Sequence, residues 1–427
     1  MKRIIALLLC FVLAANFGIV HVSAEEATSG PWGQLTWVLD AEGTLTISGE
    51  GEMAPDPDYP DPDRDPKWDH TKVKTAIIKE GVTSVGIGVF SAHNVLTKVI
   101  LPDSVTRIGK AAFNNCASLQ EIVLPDALTV IEGDAFSYCR LLSSINIPES
   151  VETIGEAAFL GCGLLRLTIP KNVKSIAPRA FSGTGIVEIT VDKDNPVYHS
   201  KGNCLIETAS KTVIAGCRKS VIPEGVEAIS EYAFSGLMNL SEVIIPSTVT
   251  TIGYKAFYEC RSLKKVVIPS SVTELGNWAF DSCYYLKQVV INSALTDIGV
   301  GVFDSCVDLE QIVIPESVEV IGSGAFFRCS KINVYYTGSA EKWNGVKIEY
   351  NNSVLKDCPI TFNFVQPKGD ANGDLAANNL DATMMLKYDA GLVELDVAEK
   401  TAADFNGDGK VNNLDAVMIL KYDAGLI

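Results

Sequence analysis

The stretch from Ile147 to Leu167, IPESVETIGEAAFLGCGLLRL, is the repeating unit from which most of this chain is built. Its clearest marker is Phe159, which belongs to a series of phenylalanines spaced 22 or 23 residues apart, with one wider gap of 53 residues. A fixed period of this length is typical of a solenoid, whose stacked repeats bury a shared core that no single repeat could form. The series is Phe90, Phe113, Phe136, Phe159, Phe181, Phe234, Phe257, Phe280, Phe303 and Phe326.

Within one repeat the apolar positions change from alternating to helical spacing. In one unit, Leu119, Ile122 and Leu124 mark the strand ahead of Pro125, and Ala135 and Phe136 follow after a polar turn. This pattern predicts a strand, a turn and a short helical turn in every repeat. The predicted fold class is therefore an α+β repeat solenoid.

The stretch from Leu309 to Cys329 matches the consensus L-x-x-I-x-I-P-x-S-V-x-x-I-G-x-x-A-F-x-x-C at every defined position. On this pattern the region 73–364 resembles the bacterial BspA-type leucine-rich repeats. The resemblance implies a secreted or surface-located recognition protein, often an adhesin. It implies no particular ligand.

The composition indicates an ordered protein that forms a core, because 47% of the 427 residues are hydrophobic and 20% are charged. The net charge of -17 argues against binding to nucleic acid or to an anionic membrane surface. Residues 1–24 combine Lys2 and Arg3, an apolar run and the small-residue end Val22-Ser23-Ala24. They predict a cleaved signal peptide, and hence an extracellular protein without direct membrane insertion.

Most of the cysteines occupy one repeat position. Stacked coils would hold their side chains parallel and about 5 Å apart, slightly too far for a relaxed disulfide, so we expect buried free thiols. A metal-binding ladder is the alternative, although no histidine accompanies these cysteines. Outside the series, Cys204 and Cys217 flank a predicted hairpin, and a disulfide between them is an open alternative in an exported protein. The series is Cys116, Cys139, Cys162, Cys260, Cys283, Cys306 and Cys329.

The expected domain organisation follows from where the repeat pattern begins, breaks and ends. Residues 25–72 read as an N-terminal β cap with an acidic, proline-rich loop from Pro55 to Pro66. Residues 73–364 form the solenoid, with a hairpin insertion near 192–220 and a C-terminal cap marked by Trp343. Residues 365–369 are a linker, and residues 370–427 form a second domain.

The main strands present an outward column that is mostly β-branched. Such side chains favour strands, and this structural explanation competes with an exposed apolar site for a partner. The column is Ile100, Val123, Asn146, Thr168, Thr190, Ile244, Val267, Val290 and Val313.

The last 58 residues contain two segments that repeat almost letter for letter, DANGDLAANNLDATMMLKYDAGL from Asp370 and DFNGDGKVNNLDAVMILKYDAGL from Asp404. Each supplies oxygen ligands at loop positions 1, 3, 5 and 12 and a backbone carbonyl at position 7, the donor set that Ca²⁺ prefers. A helix is expected directly after each loop. The candidate metal ligands are Asp370, Asn372, Asp374, Ala376 and Asp381 in the first loop, and Asp404, Asn406, Asp408, Lys410 and Asp415 in the second.

A duplicated calcium loop and helix resembles a type I dockerin module, a small all-α calcium-binding domain. The resemblance implies binding to a cohesin domain of a scaffolding protein, as in cellulosomes. One departure concerns loop position 6, which is Gly409 in the second loop and Leu375 in the first. This position usually needs a left-handed backbone, which is costly for leucine, so we expect two calcium sites of which the first is weaker.

The two helices of the tail are nearly identical and should present the same face to a cohesin in two interchangeable orientations. The candidate cohesin-binding residues are Asn379, Leu380 and Lys387 in one copy and Asn413, Leu414 and Lys421 in the other.

Three functions are compatible with these sequence features. The favoured one is a secreted, non-catalytic recognition or adhesion protein, whose solenoid binds a protein or glycan and whose tail attaches to a cohesin. The alternative is an enzyme or enzyme-accessory component of a polysaccharide-degrading complex. No residue is assigned a catalytic role, because the sequence offers no recognisable nucleophile, zinc helix or histidine-bearing constellation, although paired glycosidase carboxylates leave no such signature. A structural or inhibitory partner of the same complex is the third possibility.

Overall fold

The computed structural model describes residues 27–54, 68–365, 367–372, 375–393, 395, 400 and 402–427. Three sequence predictions fall outside these residues: the signal peptide at 1–24, the acidic loop from Pro55 to Pro66, and the candidate ligand Asp374.

The described elements are mostly short strands, numbered here in chain order. They are β1 (Thr28–Trp32), β2 (Leu35–Leu39), β3 (Thr44–Gly49), β4 (Gly51–Glu52), β5 (Thr75–Ile78), β6 (Val82–Val85), β7 (Lys98–Ile100), β8 (Arg107–Ile108), β9 (Glu121–Val123), β10 (Val130–Ile131), β11 (Thr153–Ile154), β12 (Arg166–Ile169), β13 (Ser175–Ile176), β14 (Glu188–Val191), β15 (Tyr198–Lys201), β16 (Cys204–Glu207), β17 (Thr212–Ala215), β18 (Ala228–Ile229), β19 (Thr251–Ile252), β20 (Lys265–Ile268), β21 (Glu274–Leu275), β22 (Gln288–Ile291), β23 (Asp297–Ile298), β24 (Gln311–Ile314), β25 (Val320–Ile321), β26 (Asn333–Tyr336), β27 (Lys347–Ile348) and β28 (Ile360–Thr361). The helices are α1 (Ala340–Asn344), α2 (Val354–Asp357), α3 (Asn379–Asp389) and α4 (Asn413–Asp423).

The strands of successive coils form two rows, in which they pair parallel. Antiparallel pairs extend these rows: β1 with β2 and β2 with β3 in the main row, and β15 with β16 and β16 with β17 in the second row. The main row consists of the sheets β1-β2-β3-β5-β7-β9, β12-β14 and β20-β22-β24-β26-β28. The second row consists of β13-β11-β10-β8-β6-β4, β15-β16-β17-β18-β19-β21 and β23-β25-β27. Register is set by the repeat, because residues one period apart face each other, as Lys98 faces Glu121 in β7 and β9.

The core contains the phenylalanine series as stacked rings, which we call the phenylalanine ladder. Neighbouring rings are nearly parallel, with centroids 5.2 Å apart for Phe90 and Phe113 and 5.0 Å apart for Phe257 and Phe280. Every ladder ring is buried, so each adds apolar area that only the adjacent coils can cover.

The seven repeat cysteines are buried free thiols, which confirms the sequence prediction. Each thiol donates a hydrogen bond to the carbonyl of the ladder phenylalanine 26 residues earlier, as Cys116 Sγ does to Phe90 O at 2.9 Å. Burial raises the pKa of the Cys283 and Cys306 thiols well above its usual value, so they are protonated donors at neutral pH.

The predicted short helical turn around each ladder phenylalanine is wrong, and a series of tight turns stands in its place. The residues two before and two after each ladder phenylalanine have left-handed backbones, for example Ala111 (φ 53°) and Asn115 (φ 57°) around Phe113. Alternate N–H groups therefore bond to the next coil, as Phe113 N does to Ala135 O at 2.8 Å. A helix would have used those N–H groups within one repeat. We call this side of the solenoid the turn face.

The 53-residue gap in the ladder is a segment that loops out and returns. Strands β15, β16 and β17 pair antiparallel, and β17 then pairs parallel with β18 of the next coil. The coils on either side stack directly, because Gly183 N donates to Ser235 O at 2.9 Å. Cys204 and Cys217 in this segment are both free thiols, so no disulfide joins them.

Both ends of the solenoid are covered by residues outside the regular repeats. At the start, Trp68 packs on Phe90 with ring centroids 6.1 Å apart, and its indole Nε1 donates to His93 Nε2 at 2.9 Å. At the far end, Asn352 makes hydrogen bonds of the kind that a further coil would make. Its Oδ1 accepts from Phe326 N at 3.0 Å, and its Nδ2 donates to Gly322 O at 2.8 Å.

The tail has a small core of its own, separate from the solenoid core. It joins α3 and α4 through Met385 and Ile419, which are fully buried. Within the described part of the chain, no helix has both the length and the apolar character needed to cross a membrane.

Candidate functional site

Both helices of the tail begin with a capping box that includes a candidate metal ligand. The side chain of Asn378 accepts from Leu380 N at 2.8 Å, while Asp381 Oδ2 accepts from Asn378 N at 2.8 Å. In the second copy the matching bonds join Asn412 with Leu414 and Asp415 with Asn412, at 2.9 and 3.0 Å. Asparagine at the N-cap and aspartate three residues later satisfy two N–H groups that the helix leaves without partners.

The same aspartates also connect each helix to the start of its loop. Asp381 Oδ1 accepts from Asn372 N, and Asp415 Oδ1 accepts from Asn406 N, each at 3.0 Å. Both aspartates are fully buried. The residue at loop position 12 is therefore positioned identically in the two copies by backbone N–H groups.

The second loop wraps its backbone around Asp404. The Oδ1 atom of Asp404 accepts from Gly407 N at 2.8 Å and from Asp408 N at 3.0 Å, and its Oδ2 accepts from Gly409 N at 2.8 Å. Asn406 Oδ1 accepts from Asp408 N at 2.7 Å. Gly407 and Gly409 have φ values of 78° and 81°, so glycine allows the chain to turn tightly around the carboxylate.

The first loop has a leucine at the position that corresponds to Gly409. Leu375 N donates to Asp370 Oδ2 at 2.7 Å, the bond that Gly409 N makes to Asp404 in the second loop. Leu375 has a φ of 67°, which confirms the predicted left-handed backbone at this position. A branched side chain in this region is strained.

The oxygen atoms of the loops are of the kind that a hard cation binds. Asp370, Asp381 and Asp415 are fully buried carboxylates, and Asn372 Oδ1 is buried without a hydrogen-bond partner among the described residues. Buried oxygens of this kind are costly unless a donor or a cation compensates them. In the described ranges, His, Cys, Asp and Glu side chains do not gather in threes around a possible metal position, so the amide and carbonyl oxygens are needed to complete each set.

The helices expose the side chains predicted for docking. All six candidates are exposed, with Leu380 at 56% and Leu414 at 59% of their full accessibility. The buried faces hold Met385 and Ile419, one of the two pairs at which the helices differ. The other differing pair, Thr383 and Val417, lies on the exposed side.

Two exposed leucines were missed by the sequence analysis. Leu386 and Leu420 are 46% and 43% exposed and follow Thr383 and Val417 by three residues. Leu386 follows Asn379 by seven residues, about two helical turns, and this spacing would have placed it on the same helical face.

The outward column of the main row is only partly exposed. Val123 and Ile244 are 79% and 63% exposed, whereas Val290 and Val313 are nearly fully buried. The buried pair lines a groove of about 580 Å³ together with Val365 and other residues of the chain's last part, including the tail residues Leu375 and Ala402. An apolar site along the whole column is therefore excluded in this arrangement.

Two family models match the chain. A BspA type leucine rich repeat region matches residues 67–187 and 215–333 in six copies, and a dockerin type I domain matches residues 368–422. Among the curated protein sequences, none matches the chain.

Several solved structures are similar to the solenoid. A leucine-rich repeat protein from Eubacterium ventriosum is 24% identical with a TM-score of 0.62, over 73% of this chain and 86% of that one. A leucine rich cell surface protein from Faecalibacterium prausnitzii is 26% identical with a TM-score of 0.57, over 76% and 99%. The pneumococcal vaccine antigen PcpA is 17% identical with a TM-score of 0.50, over 79% and 99%, and shares the fold.

Proposed function

Because this chain belongs to the BspA-type leucine-rich repeat proteins and ends in a type I dockerin domain, we propose that it is a recognition protein attached to an extracellular scaffold. The repeat family implies binding or adhesion, and the dockerin implies docking to a cohesin in a cellulosome-like complex. In this proposal the solenoid binds a protein or glycan, and the protein is secreted.

The location is supported by two independent features. Residues 1–24 have the composition of a signal peptide. One similar solved structure, from Faecalibacterium prausnitzii, is described as a cell surface protein. A non-catalytic role is supported by the repeat family and by solved relatives that are themselves repeat proteins.

Calcium is the ion that type I dockerins bind, and we propose one ion for each loop of this tail. The second ion would be held by Asp404, Asn406, Asp408, Asp415 and the carbonyl of Lys410. The first would be held by the matching residues, which are Asp370, Asn372, Asp374, Asp381 and the carbonyl of Ala376. Bound calcium would neutralise the loop carboxylates and join each loop to the start of its helix.

The observation that carries the docking proposal is the shared framework of the two loop-helix copies. Equivalent bonds from Asp381 and Asp415 orient α3 and α4 alike, and both helices expose the same predicted side chains. An ion that stabilises this framework would make docking dependent on calcium.

The test is to titrate the full mature chain against a panel of purified type I cohesins. We expect at least one cohesin to bind in calcium and to lose its affinity when a chelator is added. Replacing both first ligands, Asp370→Ala with Asp404→Ala, should abolish the calcium-dependent binding. Asp194→Ala, an exposed acidic residue of the solenoid, is the matched control and should bind like the parent. Docking that survives chelation would contradict the proposal, as would failure of every cohesin to bind.

A further inference from the structure

The turn face carries a group of aromatic side chains in three consecutive coils, which we call the aromatic patch. It consists of Tyr232, Tyr254, Tyr258 and Trp278, all partly exposed. The rings of Tyr232 and Tyr254 lie 5.4 Å apart between centroids, and those of Tyr254 and Trp278 lie 5.6 Å apart. The contacts are edge to face, and cations lie near two of these rings, Arg179 at 5.2 Å from the centroid of Tyr232 and Lys255 at 5.4 Å from that of Tyr254.

The solenoid does not need aromatic residues at these positions. Two residues before the ladder phenylalanine, where the backbone is left-handed, five of the other coils carry glycine or alanine and three carry Asp134, Arg179 or Lys255. In the patch the same position holds Tyr232 with φ 57° and Trp278 with φ 55°. Large side chains in left-handed conformations are strained, and such strain persists chiefly where function requires it. The small residues at this position are Gly88, Ala111, Ala157, Gly301 and Gly324.

Charged and hydroxyl groups surround the rings. The Nζ atom of Lys255 lies 4.7 Å from the centroid of the Tyr258 ring and 5.8 Å from that of Trp278. Asp281 accepts from the hydroxyl of Ser282 at 2.9 Å, and one coil later Asp304 accepts from Ser305 at 2.8 Å. The patch therefore combines apolar ring faces with hydrogen-bonding groups that repeat from coil to coil.

This combination matches the chemistry of a sugar chain. A pyranose ring has apolar C–H faces that stack on aromatic rings, and hydroxyl groups that bond to carboxylates and ammonium groups. The separation between successive rings of the patch is close to the length of one pyranose unit in an extended polysaccharide. A polymer lying along the solenoid axis could thus contact Tyr232, Tyr254 and Trp278 with successive units.

We propose that the aromatic patch binds a neutral, extended polysaccharide. The proposal rests on the recognition role proposed above and names its site and ligand class. Neutral sugars are favoured over acidic ones, because Glu259, Asp281 and Asp304 lie around the rings and the whole chain carries a net charge of -17. Stacking and hydrogen bonding, not ion pairing, would supply the affinity.

The test uses the full mature chain and soluble hexasaccharides of β-1,4-linked glucose, xylose and mannose, with polygalacturonate as the acidic comparison. Calorimetry should detect binding of at least one neutral hexasaccharide. Tyr232→Gly with Trp278→Gly should weaken that binding at least tenfold, whereas Trp278→Phe, which keeps an aromatic face, should retain most of it. Because glycine suits a left-handed backbone, the glycine variants should keep the parent melting temperature.

Tyr138→Gly is the matched control. Tyr138 is also an exposed tyrosine on the turn face with a left-handed backbone, but it lies in an earlier coil, away from the patch. Its replacement should leave sugar binding unchanged.

Several results would overturn the proposal. These are a parent chain that binds none of the neutral hexasaccharides, a preference for polygalacturonate, full affinity in the double glycine variant, or an equal loss in Tyr138→Gly. A patch that instead captures a purified protein partner and no sugar would also overturn it. Cohesin titration of the same variants separates the two proposals, since the patch variants should dock like the parent.

Discussion

At the scale of single residues, Leu375 shows how the two calcium loops differ. It adopts the left-handed backbone that the matching Gly409 adopts, with φ values of 67° and 81°. The hydrogen bond at this position is kept, because Leu375 N bonds to Asp370 as Gly409 N bonds to Asp404. At this position the first loop therefore carries backbone strain of about 1 to 3 kcal/mol that the second loop avoids.

Leu375→Gly should tighten the weaker calcium site. The substitution removes strain from the bound conformation of the first loop and leaves every proposed ligand in place. Calorimetric titration of calcium should show two unequal sites in the parent chain and more similar sites in the variant. Gly409→Leu, the reverse change, should weaken the second site. Two equal sites in the parent chain would contradict the argument.

A second prediction at this scale concerns Asp281 on the turn face. Burial, with the nearby Asp304 carboxylate, raises the pKa of Asp281 above its ordinary value. The folded protein thus binds this proton more readily than the unfolded chain does, so its stabilising effect is lost as the pH rises through the folded pKa. Asp281→Asn should be more stable than the parent near pH 7, by less than about 1 kcal/mol because the group is partly solvated.

The check is urea unfolding of parent and variant at neutral pH and below about pH 4, where an ordinary aspartate is protonated. The gain from Asp281→Asn should disappear at the lower pH. Asp308→Asn provides a control of opposite sign, because a hydrogen bond from Lys331 lowers the pKa of Asp308. That variant should lose stability at neutral pH. A destabilised Asp281→Asn at neutral pH would refute the prediction.

At the scale of elements, the molecule is built from copies whose differences are informative. Helices α3 and α4 have the same caps and differ at two positions, of which Thr383 and Val417 are the exposed pair. At the buried pair, Met385 in α3 corresponds to Ile419 in α4, so both helices contribute an apolar side chain to the shared core. The exposed surfaces offered by the two helices are therefore nearly interchangeable.

Substitutions in only one of the two helices should hardly affect docking to a cohesin. If a cohesin uses one helix copy at a time, replacing Asn379 and Leu380 with alanine removes one of two orientations and costs about RT ln 2, below ~0.5 kcal/mol. Replacing Asn413 and Leu414 as well should cost several kcal/mol. Titration of a cognate cohesin against both single-helix variants and the combined variant measures this. A large loss from one single-helix variant would show that docking has one fixed orientation.

At the scale of the whole molecule, the tail core is separate from the two adjoining clusters of buried residues that form the solenoid core. The solenoid core ends near Leu355, and the tail core begins at Ala371. The solenoid also ends in its own cap, because Asn352 satisfies the groups that a further coil would have bonded. Val290 and Val313 are the exception to this separation, because they line one groove together with the tail residues Leu375 and Ala402.

Removing residues 366–427 should therefore leave the solenoid folded. The loss exposes Val290 and Val313 but leaves every coil with its neighbours and its cap. The far-UV circular dichroism of the truncated chain should remain rich in β-structure, with a cooperative thermal transition. A longer truncation after Ser330, which also removes Asn352 and Trp343, should lower the melting temperature clearly. Loss of the β signal in the shorter truncation would show that the tail is part of the solenoid's fold.

The sequence predicted best those features that follow from contacts between equivalent positions. Phe113 and Phe136 stack, and Cys139 is a buried thiol, because identical positions of neighbouring coils must meet in any solenoid. The left-handed position of Leu375 was equally predictable, because the second loop shows glycine there. The helical turn was predicted wrongly, because apolar spacing does not reveal whether N–H groups bond within a coil or to the next one.

The sequence by itself thus determined the period, the buried ladder and the duplicated loops, all of which depend on local chemistry repeated at a fixed interval. Only the tertiary structure decided which non-equivalent residues come together. Stacking brings Tyr232, Tyr254 and Trp278 into one patch, although Tyr254 lies one residue away from the repeat position that Tyr232 and Trp278 share. Folding also brings Asn352 back onto Phe326. Such contacts depend on the path of each turn in space, and no periodic pattern in the sequence encodes that path.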